Sequence, residues 1–293
     1  MKFLFIFVSK RTMRIALNIF ITASVFLLFS CGSNSDRLDD FPEIDEDLKK
    51  AVNQTKLSAQ NVFNSLPDRG ELLKLVAEHK LDYDTEVLND PENLKNYNTE
   101  LYIALNLGVY GSDLSVANVF DQTQESLLYL KCVNSLAQKL GVHKAFDQSM
   151  FERMDAQRDN KDSTLQIITI AFRETDEILK SNNRPATSAL IIAGVWIEGF
   201  YTSCQIAKKT PSEGIVKAII KHKETLDNIV VLLGQSSLSP EAMFVFNDLA
   251  TISGIMSEII SDSDIKYTYE TIAKADEAII RLRSKVTGKQ PSA

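Results

Sequence analysis

The sequence predicts an all-α protein, an antiparallel helical bundle or an array of helical hairpins with no β-sheet. Three observations predict it. Apolar residues recur at alternating steps of three and four: Ile215, Ile219, His222, Leu226, Ile229 and Leu233 form one such stripe, and Ala242, Val245, Leu249, Ile252, Met256 and Ile259 form another. A one-sided stripe at that spacing is a helix face that needs a partner. Six of the seven prolines (Pro42, Pro67, Pro91, Pro185, Pro211 and Pro240) stand where a helical pattern begins, most with an acid directly behind them. Proline fits the first turn, where its missing N–H has no partner to lose, and carboxylates there face the positive end of the helix dipole. Finally, no run of β-branched residues alternates with polar ones between Asn-Gly-type turns, as strands would require.

Residues 1–30 carry four basic residues, Lys2, Lys10, Arg11 and Arg14, and no acid. An apolar run from Ile15 to Phe29 follows and ends in Leu28-Phe29-Ser30-Cys31-Gly32. A basic start, an apolar core and a small residue before the cut are the parts of a secretory signal. The run has 15 residues and contains Asn18 and Thr22, which is short for a membrane span of about 20. Met13-Arg14-Ile15 would by itself begin a signal of ordinary length, so the true start is read as either Met1 or Met13. The Leu-x-Ser-Cys stretch resembles the lipobox of bacterial lipoproteins, with Phe29 where smaller residues are commoner. That resemblance implies cleavage before Cys31 and acyl chains on Cys31. It also implies an outer-membrane destination, because Gly32 rather than Asp follows the lipidated residue.

Without residues 1–30 the chain has 263 residues, with 28 Lys+Arg against 39 Asp+Glu, a net charge of −11. That is ample for a sizeable core. An acidic chain lacks the clustered cations that phosphate neutralisation needs, which excludes nucleic acid as a partner. Membrane contact then falls to the lipid, each buried CH2 of which contributes about 0.8 kcal/mol, and an envelope protein is the remaining class of partner.

The elements follow in order. Residues 31–42 are a polar tether and 43–287 a single all-α domain. Helices are expected over 43–65, 69–80, 98–119 (with Gly108 and Gly111 as points of breakage), 122–140, 160–182, 185–208, 212–234, 240–261 and 264–286. A disordered tail over 288–293 closes the chain. The helix over 185–208 is the most apolar and holds the only tryptophan, Trp196. Gly108-Val109-Tyr110 with Asp113 downstream echoes Gly194-Val195-Trp196 with Glu198 downstream, as a duplicated helical unit would.

Two isolated carboxylates are the candidate functional positions. Asp113 is the only formal charge between Leu101 and Phe120, and Glu198 the only one between Ala186 and Ala207. A carboxylate in an apolar helix is rarely buried unless it is paired or hydrogen-bonded. Tyr110 lies three residues before Asp113 and Tyr201 three after Glu198, which puts each pair on one helix face. Trp196 is near, and Arg173 follows the apolar run 165–172 and is the expected cation. Three readings fit: a small-ligand pocket formed by Asp113, Glu198, Arg173, Tyr110, Tyr201 and Trp196, a structural buried ion pair, or simple exposure of one helix face.

Motifs of catalysis are missing. None of the three histidines, His79, His143 and His222, stands three residues after a glutamate as a di-iron bundle requires. HExxH, GxSxG, GxGxxG and phosphate-loop patterns do not occur, so neither a metal, a cofactor nor a catalytic residue is assigned. Cys132 and Cys204 stand as either a disulfide or two buried thiols. The strings LNLGVYGSDLS, FDQTQESLLYLK, FRETDEILK and SALIIAGVWIEGFY resemble a group of uncharacterised helical bacterial lipoproteins, a likeness that implies a helical envelope domain and no activity. The function expected is a non-enzymatic binding or scaffolding module. The alternative is a small-ligand sensor or carrier at Asp113 and Glu198.

Overall fold

The computed structural model describes residues 78–288. The signal segment, Cys31, the tether, the helix expected over 43–65, most of that over 69–80 and the tail beyond Gly288 lie outside them. Within them the chain is all-α, and no strand occurs among the described residues. Its helices are α1 (Glu100–Val119), α2 (Thr123–Leu140), α3 (Gln148–Ala156), α4 (Lys161–Ser181), α5 (Pro185–Lys209), α6 (Glu213–Gln235), α7 (Met243–Ser261) and α8 (Tyr269–Thr287). Short 3-10 turns cover Pro91–Asn96, His143–Phe146 and Pro240–Ala242.

Side-chain caps mark the starts. Thr99 accepts from Tyr102 N–H, Asp147 from Met150 N–H, Asn160 from Ser163 N–H and Ser212 from Ile215 N–H, each satisfying an orphan donor of a first turn. Gly141 and Gly288 end α2 and α8 in the left-handed conformation, at φ 75° and 73°, which glycine adopts without penalty. Helix α3 was not expected: its nine residues, QSMFERMDA, bury only Met150 and Met154, too few to show a period. Pro91 opens a 3-10 turn rather than an α-helix.

Helices α5, α6, α7 and α8 pack each on the next, and α8 closes the ring against α5. Helix α1 lies along α5 and carries α2 on its flank, while α4 touches both α1 and α5. Chain neighbours run antiparallel, but α1 and α5 run parallel: Glu100 accepts from Thr187, Leu105 meets Gly194 and Ser112 meets Gly199. The glycines do not break α1; they let it approach α5. A Cβ on Gly108 would run into Ile191 O and Val195 N, and a Cβ on Gly194 into Leu105 O. The contact is reciprocal, each glycine facing the residue three before the other, so the two glycine helices cross about a local two-fold. Gly111 meets the Phe172 ring of α4 in the same way.

Arg184, in the α4–α5 turn, ties three elements together, donating to Glu100 of α1 at 2.8 Å and to Leu140 O at the end of α2 at 2.7 Å. Pro185–Lys209 and Pro240–Ser261 are long and apolar enough to cross a membrane, but 67% of the apolar stretch of the first is buried inside the protein, as in a core helix.

Candidate functional site

Asp113 and Glu198 meet in the core, where α1, α5 and α8 converge. Both are fully buried. Helix α1 presents Asp113 from the side that faces α5 and α8, and α5 presents Glu198 from the matching side. The cation is Arg283 of α8. Its Nε donates to Glu198 Oε2 and its Nη2 to Glu198 Oε1, each at 2.6 Å, a bidentate pair with the two side chains 5% and 0% exposed. The guanidinium lies 4.1 Å above the centre of the Tyr201 ring, a stacked cation–π contact. Arg173, the cation expected there, is half-buried on α4. It sits one residue past the buried pair Ala171 and Phe172, on the edge of that stripe rather than in it.

A segment without α-helix covers the centre. Residues 84–97 run across α1 and α8 before α1 begins, turning at 85–88, where Leu88 N–H donates to Thr85 O at 3.3 Å. Val87 O accepts from Arg283 Nη2 at 3.1 Å, and Asn89 N–H donates to Asp113 Oδ2 at 3.2 Å. Asn89 also donates through Nδ2 to the Tyr97 hydroxyl at 3.0 Å, and that hydroxyl donates to Thr287 O at 3.2 Å. Tyr110 donates to Asp90 O at 2.9 Å. At the ends of this strap Lys209 holds Asp84, and Lys139 donates to Tyr97 O at 3.0 Å. Sequence reasoning missed the strap because its contacts are main-chain to side-chain bonds, which leave no periodic trace.

One guanidinium serves two carboxylates here, and charge decides the protonation. Burial raises the Asp113 carboxyl well above the ordinary carboxylate range, and the neighbouring Glu198 charge raises it further, against the pull of Arg283. Burial thus favours the neutral form of Asp113, while Glu198 is the carboxylate that Arg283 engages directly. Burial works against the Arg283 charge, but Glu198 overrides it and holds the guanidinium protonated. Burial also pushes the Tyr97 hydroxyl up to about 12 and the Tyr110 hydroxyl higher still, so both remain donors.

Two other buried aspartates, Asp176 and Asp276, and the partly buried Asp227 are each bonded through both oxygens. Asp176 accepts from Ser188 and Lys180, Asp227 from Ser253 and Lys223, and Asp276 from Gln205 and Tyr269, one donor for each oxygen. Asp113 has one main-chain donor on Oδ2 and shares a side-chain hydrogen bond with the Glu198 carboxylate. Asn106 Oδ1, two turns before Asp113 on α1, and Thr202 Oγ1, one turn beyond Glu198, are buried without a partner.

Of the remaining expected residues, Tyr110 and Tyr201 belong to the centre as described. Trp196 does not: it stacks on Phe200, 4.6 Å between ring centres, and Phe200 faces His222 of α6. Cys132 and Cys204 are both free and buried, on α2 and α5.

A second feature is open. A groove of about 1030 Å³ runs between α2 and α3 and the adjoining ends of α1 and α4. Leu127, Leu130, Phe151 and Met154 contribute its apolar surface, and Leu127 is 49% exposed. Asp121, Glu152, Asp155 and Asp159 at its edges outnumber Lys131 and Arg158. Neither Asp113 nor Glu198 lines it.

Comparison with protein-family models, with curated proteins and with solved structures finds no match to the chain.

Proposed function

We propose that the protein is a lipid-anchored, non-enzymatic binding module of the cell envelope. Cys31 carries the anchor, and the helical domain engages another envelope protein through the groove between α2 and α3. The groove is the observation that carries this reading. Its apolar floor, centred on the half-exposed Leu127, lies inside a polar, mainly acidic rim, the arrangement of a protein-binding patch. An apolar stripe with basic flanks, as on an amphipathic helix, complements it. The anchor rests on the signal-like residues 1–30 and the lipobox resemblance at Cys31.

Photo-crosslinking from position 127 in intact cells tests the reading. The expected result is one discrete adduct, lost on substituting Phe151 with Asp and absent when the crosslinker stands at Lys274 on α8. Equal adducts from 127 and 274 would sink the groove as a specific interface. Anchoring is read separately, from fatty-acid labelling of the wild-type chain and of Cys31→Ala.

A further inference from the structure

We propose that the groove between α2 and α3 is filled at rest by the chain's own segment 43–65, docked as an amphipathic helix, and that an envelope partner competes with this helix for the groove. The inference rests on the reading of the groove as a protein-binding surface and names its resting occupant.

The shape of the groove suits a helix. Leu127 and Leu130 stand three apart on α2, and Phe151 and Met154 three apart on α3, so each helix offers one apolar row. The trough between two such rows takes one face of a third helix. Leu127 is 49% exposed and its neighbour Leu128 46%, two of the three large apolar side chains so exposed among the described residues.

Charge sets the orientation. Asp121 pairs with Lys161 at 2.7 Å, and Asp155 lies 4.0 Å from Arg158. Glu152 and Asp159 join no ion pair among the described residues, and both stand on the α3 side of the groove. Lys131 stands on the α2 side. The groove is thus acidic along one edge only, and its occupant should be basic along one edge only.

Segment 43–65 has that pattern. At about 100° per residue, Leu48, Val52, Ala59, Val62 and Phe63 fall within one arc. Lys49 and Lys56 border this arc on one side, while Ala51, Ser58 and Ser65 border it on the other. From Leu48 to Ser65 the chain carries three lysines and no acid. The lysine edge meets Glu152 and Asp159, and the uncharged edge meets Lys131.

The chain also enters the domain beside the groove. The Tyr83 ring packs on Phe120, 5.7 Å between centres, and Phe120 lies between the groove residues Asn118 and Asp121. The connection from Ser65 to Glu78 reaches up to about 40 Å, more than the length of the helix itself, about 34 Å. Tethering by a connection of this kind gives an effective concentration on the order of millimolar, so a partner must present a better stripe than the chain's own.

The experiment places a photo-crosslinking residue at position 127 of the purified full-length chain. Unlabelled and isotope-labelled protein are mixed in equal amounts, and crosslinked peptides are read by mass. The expected product joins position 127 to residues 48–65 within one isotopic species. Lys49→Glu/Lys56→Glu should lower its yield at least fivefold, as should Glu152→Lys/Asp159→Lys, and the four changes together should restore it. Glu152 and Asp159 are exposed, so the fold survives their replacement, which circular dichroism checks. In intact cells Lys49→Glu/Lys56→Glu should raise the partner adduct from position 127 at least threefold.

Three results overturn the proposal: no crosslink to 48–65, crosslinks that join the two isotopic species as a second copy would, or a yield that ignores the charge reversals. A partner adduct in cells without any crosslink to 48–65 sinks this inference and leaves the partner site standing. A crosslink to 48–65 with no partner adduct sinks the partner site alone.

Discussion

Replacing Glu198 with glutamine keeps the shape of the side chain and removes its charge. Arg283 is 5% exposed and Glu198 not at all, so water cannot take over the lost contact. The guanidinium, which donates twice to one carboxylate at 2.6 Å, would face an amide that accepts through one oxygen and opposes it with an NH2 group. Asp113 could recover part of the loss only by ionising in a site that disfavours its charge. Removing one member of a buried pair costs about 3–5 kcal/mol, and at about 2–4 °C per kcal/mol for a domain of this size the melting temperature should fall by about 6–20 °C. Thermal unfolding followed by circular dichroism at 222 nm, with Trp196 fluorescence as a second probe, measures it. A double variant, Glu198→Leu with Arg283→Met, should recover most of the loss, because an apolar pair of similar volume carries no desolvation penalty. An unchanged midpoint for Glu198→Gln would refute the reasoning, since a pair that is dispensable when broken cannot be desolvated as described.

Further expectations follow from the same geometry. Asp113→Asn should leave stability unchanged or raise it near neutral pH. The folded-state pKa of Asp113 is raised, so its contribution is complete below the ordinary carboxylate pKa and is lost as pH rises through the folded value; urea midpoints from pH 4 to 9 should decline more steeply for wild type than for Asp113→Asn. Gly108→Ala and Gly194→Ala should each cost about 3 kcal/mol or more, because the new methyl meets the backbone of the opposite helix. Gly254→Ala, with nothing within 4 Å of its Cβ, should instead stabilise α7 by about 0.5–1 kcal/mol; equal effects at the three glycines in thermal melts would contradict the crossing. Cys31→Ala should abolish fatty-acid incorporation and release the protein from the membrane fraction, and a variant that stays labelled would refute the anchor.

Helices α6, α7 and α8 were legible because each buries one face, and α1 and α5 because they are apolar nearly all round. The stripe from Ile215 to Leu233 and that from Ala242 to Ile259 name their own cores, and the caps and prolines fix the ends to within a few residues. The meeting of Asp113 and Glu198 was legible as well, as the conspicuous charge in each of two apolar helices. Arg283 was not, because α8 also carries Lys274, Arg281 and Lys285, and a buried cation there looks like its exposed neighbours. Its signal was phase: Arg283 falls on the stripe of Ile272, Ile279, Leu282 and Val286, where Arg281 does not. Arg173 had the opposite fault, an apolar run before it but a position on the rim of the stripe. The parallel pairing of α1 and α5 was half visible in Gly108 and Gly194, since a glycine inside a strongly apolar helix marks close approach as readily as a break. The strap was illegible because it has no period, and its order comes from bonds to residues up to 196 positions away.

The central claim is that the strap over the ionic centre is part of the core and opens only with the helices beneath it. Native-state hydrogen exchange at the Asn89 amide tests this most directly, because that N–H is bonded to Asp113. The account predicts that Asn89 exchanges with the same opening constant as the α5 amides around Ile192, since Val87, Leu88, Asn89 and Tyr97 are all buried. If Asn89 exchanges through an opening at least a hundredfold more frequent than that at Ile192, the strap opens separately from the helices and the claim is wrong.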